Sequence, residues 1–80
     1  MTDDTVLIEV SDELQRARNG HLSLHSAHEA YAVILEEVDE LWDEVKKKRK
    51  NRDIDAMRNE LIQIAAMAVR AVVDLGLEGF

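Results

Sequence analysis

The stretch of sequence that decides the fold is residues 26–46, SAHEAYAVILEEVDELWDEVK. Its apolar residues recur at steps of three and four and so share one stripe of an α-helix. They are Ala27, Ala30, Tyr31, Ile34, Val38, Leu41 and Val45. Ser26 and Glu29 have the spacing of a capping box, which places the helix start at Ala27. The basic run that follows suits a helix end, so we predict a helix over about residues 27–50.

Similar patterns predict one helix on each side of this stretch. Apolar residues at helical spacing precede Asn19-Gly20, which indicates a first helix over about residues 6–18. A short strand at residues 6–10 is the alternative, but the sequence offers no second strand to pair with it. Asp53 suits the start of a third helix over about residues 53–75. The sequence therefore predicts a single helical domain over residues 1–80.

The third helix is apolar around most of its circumference. Between Leu61 and Val73 only Gln63 and Arg70 are polar, so this helix needs cover on several sides. A chain of 80 residues has a marginal core, and the absence of cysteine excludes disulfides and zinc–thiolate sites as supplements. We therefore expect an all-α, three-helix chain whose two long antiparallel helices pair with a second copy in a four-helix-bundle core. The assembly is then a dimer or a dimer of dimers.

Charge and hydropathy exclude several classes of partner. The formal net charge of −7 argues against a nucleic-acid polymer, because surplus Lys and Arg bind phosphate backbones. No apolar run approaches the roughly 20 residues that span a bilayer. Residues 1–4 also lack the basic start of a signal peptide. We expect a cytoplasmic protein that does not associate with membranes.

The acidic residues of the second helix fall into two sets when projected at about 100° per residue. Glu36, Asp39 and Asp43 lie on the solvated side, whereas Glu37, Glu40 and Glu44 line a shoulder of the apolar stripe. On the third helix, Glu60 and, one turn later, Gln63 lie near the matching shoulder. Clustered carboxylates repel one another unless a cation compensates, and oxygen ligands favour Mg²⁺ or Mn²⁺. The alternative is an ordinary solvated surface, which is common in a chain with 17 acidic residues.

These residues also carry a resemblance to a known family. Glu36-Glu37-Val38-Asp39-Glu40 matches a Glu-Glu-x-x-Glu motif, and Glu60 follows after a spacer of 19 residues. With the runs 28–46 and 57–68, this motif resembles the MazG-like, all-α nucleotide pyrophosphohydrolases, especially the small MazG-like proteins of bacteria and phages. The resemblance covers most of residues 26–75.

The resemblance implies Mg²⁺-dependent cleavage of a nucleoside triphosphate between its α and β phosphates, on a helical dimer or tetramer. A monophosphate and pyrophosphate are the implied products, and cleansing of the nucleotide pool is one implied role. Carried over, it assigns Glu37, Glu40 and Glu60 as metal ligands. Gln63 stands where the wider family has aspartate. Its amide oxygen can still coordinate Mg²⁺, but it carries no charge and cannot act as a base.

Further side chains are candidates for roles around the metal. Glu36 and Glu44 are candidates to orient the attacking water. Lys47 and Lys48 are candidates to bind the triphosphate, although a basic run that ends a helix is usually solvated. Trp42 is a candidate to stack on the base, with packing at the interface between copies as the alternative.

Two rival functions follow from the same residues. Because Gln63 removes one carboxylate, the chain is alternatively a non-catalytic helical module for dimerisation or for sensing nucleotide or metal. A ferritin-like di-metal oxygenase is disfavoured, because neither glutamate motif carries a Glu-x-x-His ligand pair.

Overall fold

The computed structural model describes residues 1–20 and 23–77, which form an all-helical fold. Helix α1 spans Asp3–Gly20, α2 spans Ala27–Val45 and α3 spans Ile54–Asp74, with a short 3-10 turn at Arg49–Asn51 between α2 and α3. The described residues contain no strand, so the strand alternative at residues 6–10 is wrong. Residues 21, 22 and 78–80 of the predicted domain lie outside the described residues. No described helix has both the length and the apolarity of a membrane span.

The ends of the helices differ from the predicted bounds. Helix α1 is longer than expected at both ends, and α2 ends at Val45 instead of near Lys50. The early end of α2 has a physical cause in the Arg52 guanidinium, which donates to the Val45 carbonyl through Nε at 3.0 Å and Nη2 at 2.7 Å. These bonds satisfy a carbonyl at the end of the helix, so the basic run that follows turns instead of continuing it.

Side-chain caps start both long helices, as the sequence predicts. The Ser26 hydroxyl accepts from the Glu29 N–H at 3.0 Å, and the Asp53 carboxylate accepts from the Ala56 N–H at 3.1 Å. In a capping box the Glu29 carboxylate would accept from the N–H of the cap residue Ser26. Here it accepts from the N–H of the preceding residue, His25, at 2.9 Å. Each such cap is worth about 1 kcal/mol.

Helix α3 lies at the centre of the fold and packs against both α1 and α2. Glu9 pairs with Arg58 and Arg18 pairs with Asp74, so α1 runs parallel to α3. Helix α2 runs antiparallel to α3, because Glu44 at its end contacts the first residues of α3. The buried core follows α3 on both sides and consists of Val10, Ala17, Leu24, Ala30, Ala66, Met67 and Ala71.

One face of the α2–α3 pair carries exposed apolar side chains, and we call it the apolar face. Its members are Tyr31, Leu35, Val38 and Trp42 on α2 and Ile54, Leu61, Ala68 and Val72 on α3. On each helix these positions follow helical spacing, and at about 100° per residue they point away from the side on which α1 packs. Tyr31, which belongs to the apolar stripe predicted for this helix, is 68% exposed in the single chain.

Candidate metal centre

Three glutamates from two helices converge on the side of the α2–α3 pair opposite the apolar face. Glu37 and Glu40 of α2 and Glu60 of α3 each offer a carboxylate oxygen within 4.8 Å of the others. The antiparallel packing of α2 on α3 brings them to the same level, because each lies on the shoulder of its own apolar stripe. We call these three residues the carboxylate cluster. It unites the three glutamates that the sequence predicts as metal ligands.

The electrostatics of the carboxylate cluster fit a cation. Burial raises the pKa of the Glu37 carboxyl to about 8, with further contributions from its hydrogen bond with Glu60 and from repulsion by Glu40. The Glu60 Oε2 atom is buried and has no hydrogen-bond partner in the part of the chain that the structure describes. A buried carboxylate oxygen without a partner destabilises the fold. A divalent ion would satisfy that oxygen and offset the repulsion.

The raised pKa of Glu37 predicts how stability depends on pH. Folding favours the protonated carboxyl, so this stabilisation is complete below the ordinary pKa of 4.5 and is lost as the pH rises from there to about 8. We expect the melting temperature of the metal-free protein to fall between about pH 4.5 and about pH 8. In Glu37→Gln, a neutral mimic of the protonated acid, this fall should be nearly absent.

Calorimetric melting in chelator across this pH range checks the expectation. Asp39→Asn is the matched control, because it removes an exposed carboxylate of the same helix outside the carboxylate cluster. It should keep the wild-type slope. Parallel curves for wild type and Glu37→Gln would contradict the assigned pKa.

Gln63 contacts the carboxylate cluster as a hydrogen-bond donor. With its nitrogen turned toward Glu37, the amide donates to Oε2 at 2.6 Å and to Oε1 at 3.3 Å. The reverse orientation would set the amide oxygen against carboxylate oxygens only. In this arrangement Gln63 holds Glu37 in place, and coordination of a metal through the amide oxygen requires the amide to turn round.

The two predicted water-orienting residues lie outside the carboxylate cluster. Glu36 is exposed on the outer side of α2. Glu44 is buried where α2 meets the start of α3, and its carboxylate accepts from Lys47 Nζ at 2.8 Å and from the Asp53 N–H. These two hydrogen bonds lower the pKa of the Glu44 carboxyl. The structure thus gives Glu44 a role in joining the two helices.

The predicted substrate-binding residues are also spread apart. Lys47 is paired with Glu44, and Lys48 is exposed just before the 3-10 turn. Trp42 is 58% exposed and belongs to the apolar face, on the opposite side of α2 from Glu40. The single chain therefore does not bring Lys47, Lys48 and Trp42 together around the carboxylate cluster.

A cavity of about 630 Å³ adjoins the carboxylate cluster and lies between α1, α2 and α3. Glu37 and Gln63 form part of its wall, so the cavity and the carboxylate cluster are continuous. Its other walls are Glu13, Arg16 and Ala17 of α1, Ser23, Leu24 and His25 of the α1–α2 connection, Glu29 and Val33 of α2, and Met67 and Arg70 of α3. The sequence did not reveal this cavity. Its one signal was Arg70, the single basic residue in the apolar stretch between Leu61 and Val73.

A buried ion-pair network, centred on Asp74, fixes one end of the cavity. The Asp74 carboxylate, only 3% exposed, accepts from Arg18 Nη1 at 2.8 Å, the Leu24 N–H at 2.9 Å and Arg70 Nε at 3.2 Å. The bonds from Arg18 and Leu24 are the main causes that lower the pKa of the Asp74 carboxyl. Asp74 thus joins the end of α1, the α1–α2 connection and α3 at one point.

Comparison of the chain with known protein families, curated proteins and solved structures found no match. The features of the chain that bear on its function are the carboxylate cluster, the cavity beside it and the motif residues of the sequence.

Proposed function

We propose that this protein is a Mg²⁺-dependent nucleoside triphosphate pyrophosphohydrolase that releases a nucleoside monophosphate and pyrophosphate. The observation that carries the proposal is the carboxylate cluster, in which Glu37, Glu40 and Glu60 converge from two helices. These are the ligand positions that the resemblance to MazG-like enzymes assigns. The unpartnered buried oxygen of Glu60 adds independent support for a cation at this place.

The side chains in and around the carboxylate cluster have different roles in the proposed reaction. Glu37, Glu40 and Glu60 supply the negative charge that holds a hard divalent cation, and Mn²⁺ can substitute for Mg²⁺ because both prefer oxygen ligands. Gln63 keeps the Glu37 carboxylate in position through its amide N–H. When bound, the ion polarises the phosphate and lowers the pKa of a coordinated water. Glu36, exposed one residue before Glu37, is our remaining candidate to orient that water.

Pyrophosphate release from a panel of canonical and modified nucleoside triphosphates, with Mg²⁺ or Mn²⁺, tests the proposal. We expect turnover that requires the metal and stops when a chelator is added. The same assay identifies the preferred base and sugar. A panel in which no nucleotide is cleaved above the enzyme-free background would rule out the proposed activity.

A non-catalytic sensing or dimerisation module is the second candidate function, and the contact between Gln63 and Glu37 favours it. The amide donates to the carboxylate, and the protonated Glu37 relieves repulsion, so the carboxylate cluster is partly satisfied without a metal. Titration calorimetry with Mn²⁺ separates the two candidates. Heat of binding together with turnover supports the enzyme, heat of binding without turnover supports a sensing module, and no binding by an intact oligomer supports a dimerisation module.

We also propose that the protein is a homodimer in which the apolar faces of two copies pack together. The apolar face joins one side of both long helices, so two copies would enclose a four-helix core. Trp42, a large exposed side chain at this face, would gain the most from burial. The arrangement leaves the carboxylate cluster of each copy on the outside of the core.

Adjacent valines of α3 provide a matched test of this interface. Val72 lies on the apolar face and Val73 lies off it, and their exposed fractions are 43% and 51%. We expect Val72→Asp to weaken dimerisation by roughly 100-fold, because twofold symmetry buries the unpaired charge twice. Val73→Asp should stay dimeric. Sedimentation equilibrium checks both, and equal dimerisation of the two variants would show that the apolar face is not the interface.

A further inference from the structure

The Gln63 side chain meets the carboxylate cluster from the same side of α3 as Glu60. The two residues are three positions apart, so they are neighbours on the surface of the helix. The Gln63 amide nitrogen donates to Glu37 Oε2 at 2.6 Å and to Oε1 at 3.3 Å, so its N–H groups face both oxygens of that carboxylate. Gln63 therefore presents a partial positive charge to Glu37, as a bound cation would.

The acceptor groups that remain in the carboxylate cluster suit one divalent ion. Glu60 Oε2 is buried and has no hydrogen-bond partner in the part of the chain that the structure describes. Glu37, Glu40 and Glu60 each bring an oxygen within 4.8 Å of the others, so one ion can draw on all three. One divalent ion leaves the three carboxylates with a net charge of about −1, whereas two ions would give about +1.

A second ion would compete with the bond between Gln63 and Glu37. The ions of two-metal sites lie about 3.5–4 Å apart, so the same few carboxylates must serve both. Gln63 can offer an ion only a neutral amide oxygen, and the amide must first turn round and give up its bond to Glu37. A carboxylate at this position would bring a negative charge and no N–H donor. The Gln63 amide thus opposes a second ion both by its charge and by its position.

We propose that Gln63 restricts the carboxylate cluster to one divalent cation per chain, and that it is a positioning residue that acts through Glu37. Its N–H group stays on Glu37 when the ion binds, so Gln63 is not itself a ligand. This inference rests on the proposed function and adds to it the number of ions and the residue that sets this number. Any further ion must then arrive bound to the phosphates of the substrate.

Titration with Mn²⁺ alone, in the absence of nucleotide, tests the number of ions. Gln63→Glu keeps the length of the side chain and exchanges the N–H donor for a carboxylate. Calorimetry should give one bound Mn²⁺ per wild-type chain and about twice as much in Gln63→Glu. Electron paramagnetic resonance should show isolated Mn²⁺ in the wild type and a magnetically coupled pair in Gln63→Glu, because two ions would lie about 3.5–4 Å apart.

Gln15→Glu is the matched control for this titration. It makes the same chemical change at an exposed position of α1, outside the carboxylate cluster. We expect one Mn²⁺ per chain and the spectrum of isolated Mn²⁺, as in the wild type. A coupled second ion in Gln15→Glu as well would contradict the inference, because added negative charge anywhere on the chain would then be sufficient.

The outcomes distinguish this inference from the proposed function. A coupled Mn²⁺ pair in the wild type, or a single ion in folded Gln63→Glu, would overturn the role of Gln63 while the metal site stands. Failure of the wild type to bind Mn²⁺ at all would overturn the proposed function itself. If Gln63→Glu does not fold, NMR of the Gln63 side-chain amide in the wild type decides. Slow hydrogen exchange of this amide in saturating Mg²⁺ supports the inference, and rapid exchange shows that the amide has left Glu37 and contradicts it.

Discussion

Glu60→Gln will lower the rate of pyrophosphate release at least about 100-fold and will weaken Mn²⁺ binding. The substitution keeps the size of the side chain and removes one of the three carboxylates of the carboxylate cluster. Glu60 is the only contribution of α3 to this cluster, and its Oε2 atom is buried without a hydrogen-bond partner among the described residues. The loss of its charge should therefore affect the metal more than the fold.

Asp39→Asn is the matched control for this experiment. It also removes one negative charge, but Asp39 is exposed and lies outside the carboxylate cluster, between Glu37 and Glu40 in sequence. We expect its activity to stay within about threefold of wild type. Steady-state kinetics, Mn²⁺ calorimetry and circular dichroism of both variants give the comparison. Comparable activity losses in both variants would mean that net charge matters and that the carboxylate cluster does not hold the catalytic metal.

Asp74→Ala will destabilise the fold by about 3–5 kcal/mol, because it removes the acceptor of a buried ion-pair network. Arg18, Arg70 and the Leu24 N–H all donate to this carboxylate, and Arg70 is itself only 4% exposed. A loss of this size is a large fraction of the stability of a small domain. Urea unfolding followed by circular dichroism measures it.

Asp43→Ala is the comparison for the network. Asp43 forms an exposed pair with Lys46 at 3.0 Å, and exposed pairs contribute about 0–1 kcal/mol.

The lowered pKa of Asp74 adds a second readout, because folding favours the ionised carboxylate. Its stabilisation is present above the ordinary pKa and is lost as the pH falls through the lowered one. Asp74→Ala should therefore be less sensitive to acid than wild type, and equal stability of the two alanine variants would refute the assigned role.

Local sequence signals were sufficient to predict the three helices. The periodicity of residues 27–45 and the caps at Ser26 and Asp53 act within a few residues, so they can be recognised without a structure. The end of α2 was mispredicted because Arg52 reaches back to Val45 across the connection. Such a contact depends on how the chain turns, and the basic run gives no sign of that turn.

Local sequence signals also predict one part of the candidate site, whereas another part depends on how the helices pack. Glu37, Glu40 and Glu60 could be predicted because their positions on the shoulders of two helices follow from helical geometry alone. The cavity could not, since one of its walls is α1 and nothing in the sequence sets the side of α3 on which α1 packs. Arg70 and Asp74 are four residues apart on α3, but their partners Arg18 and Leu24 come from distant parts of the chain.

The placement of α1 has a consequence for motion. This helix packs chiefly on α3 and closes one side of the cavity with Arg16 and Ala17. A peripheral helix with few buried side chains, here Val10 and Ala17, separates from a fold at a lower free energy than its central elements do. Local detachment of α1 would open the cavity while α2 and α3 keep the carboxylate cluster assembled. Loss of the Arg18–Asp74 pair, which ties α1 to α3, would favour this opening.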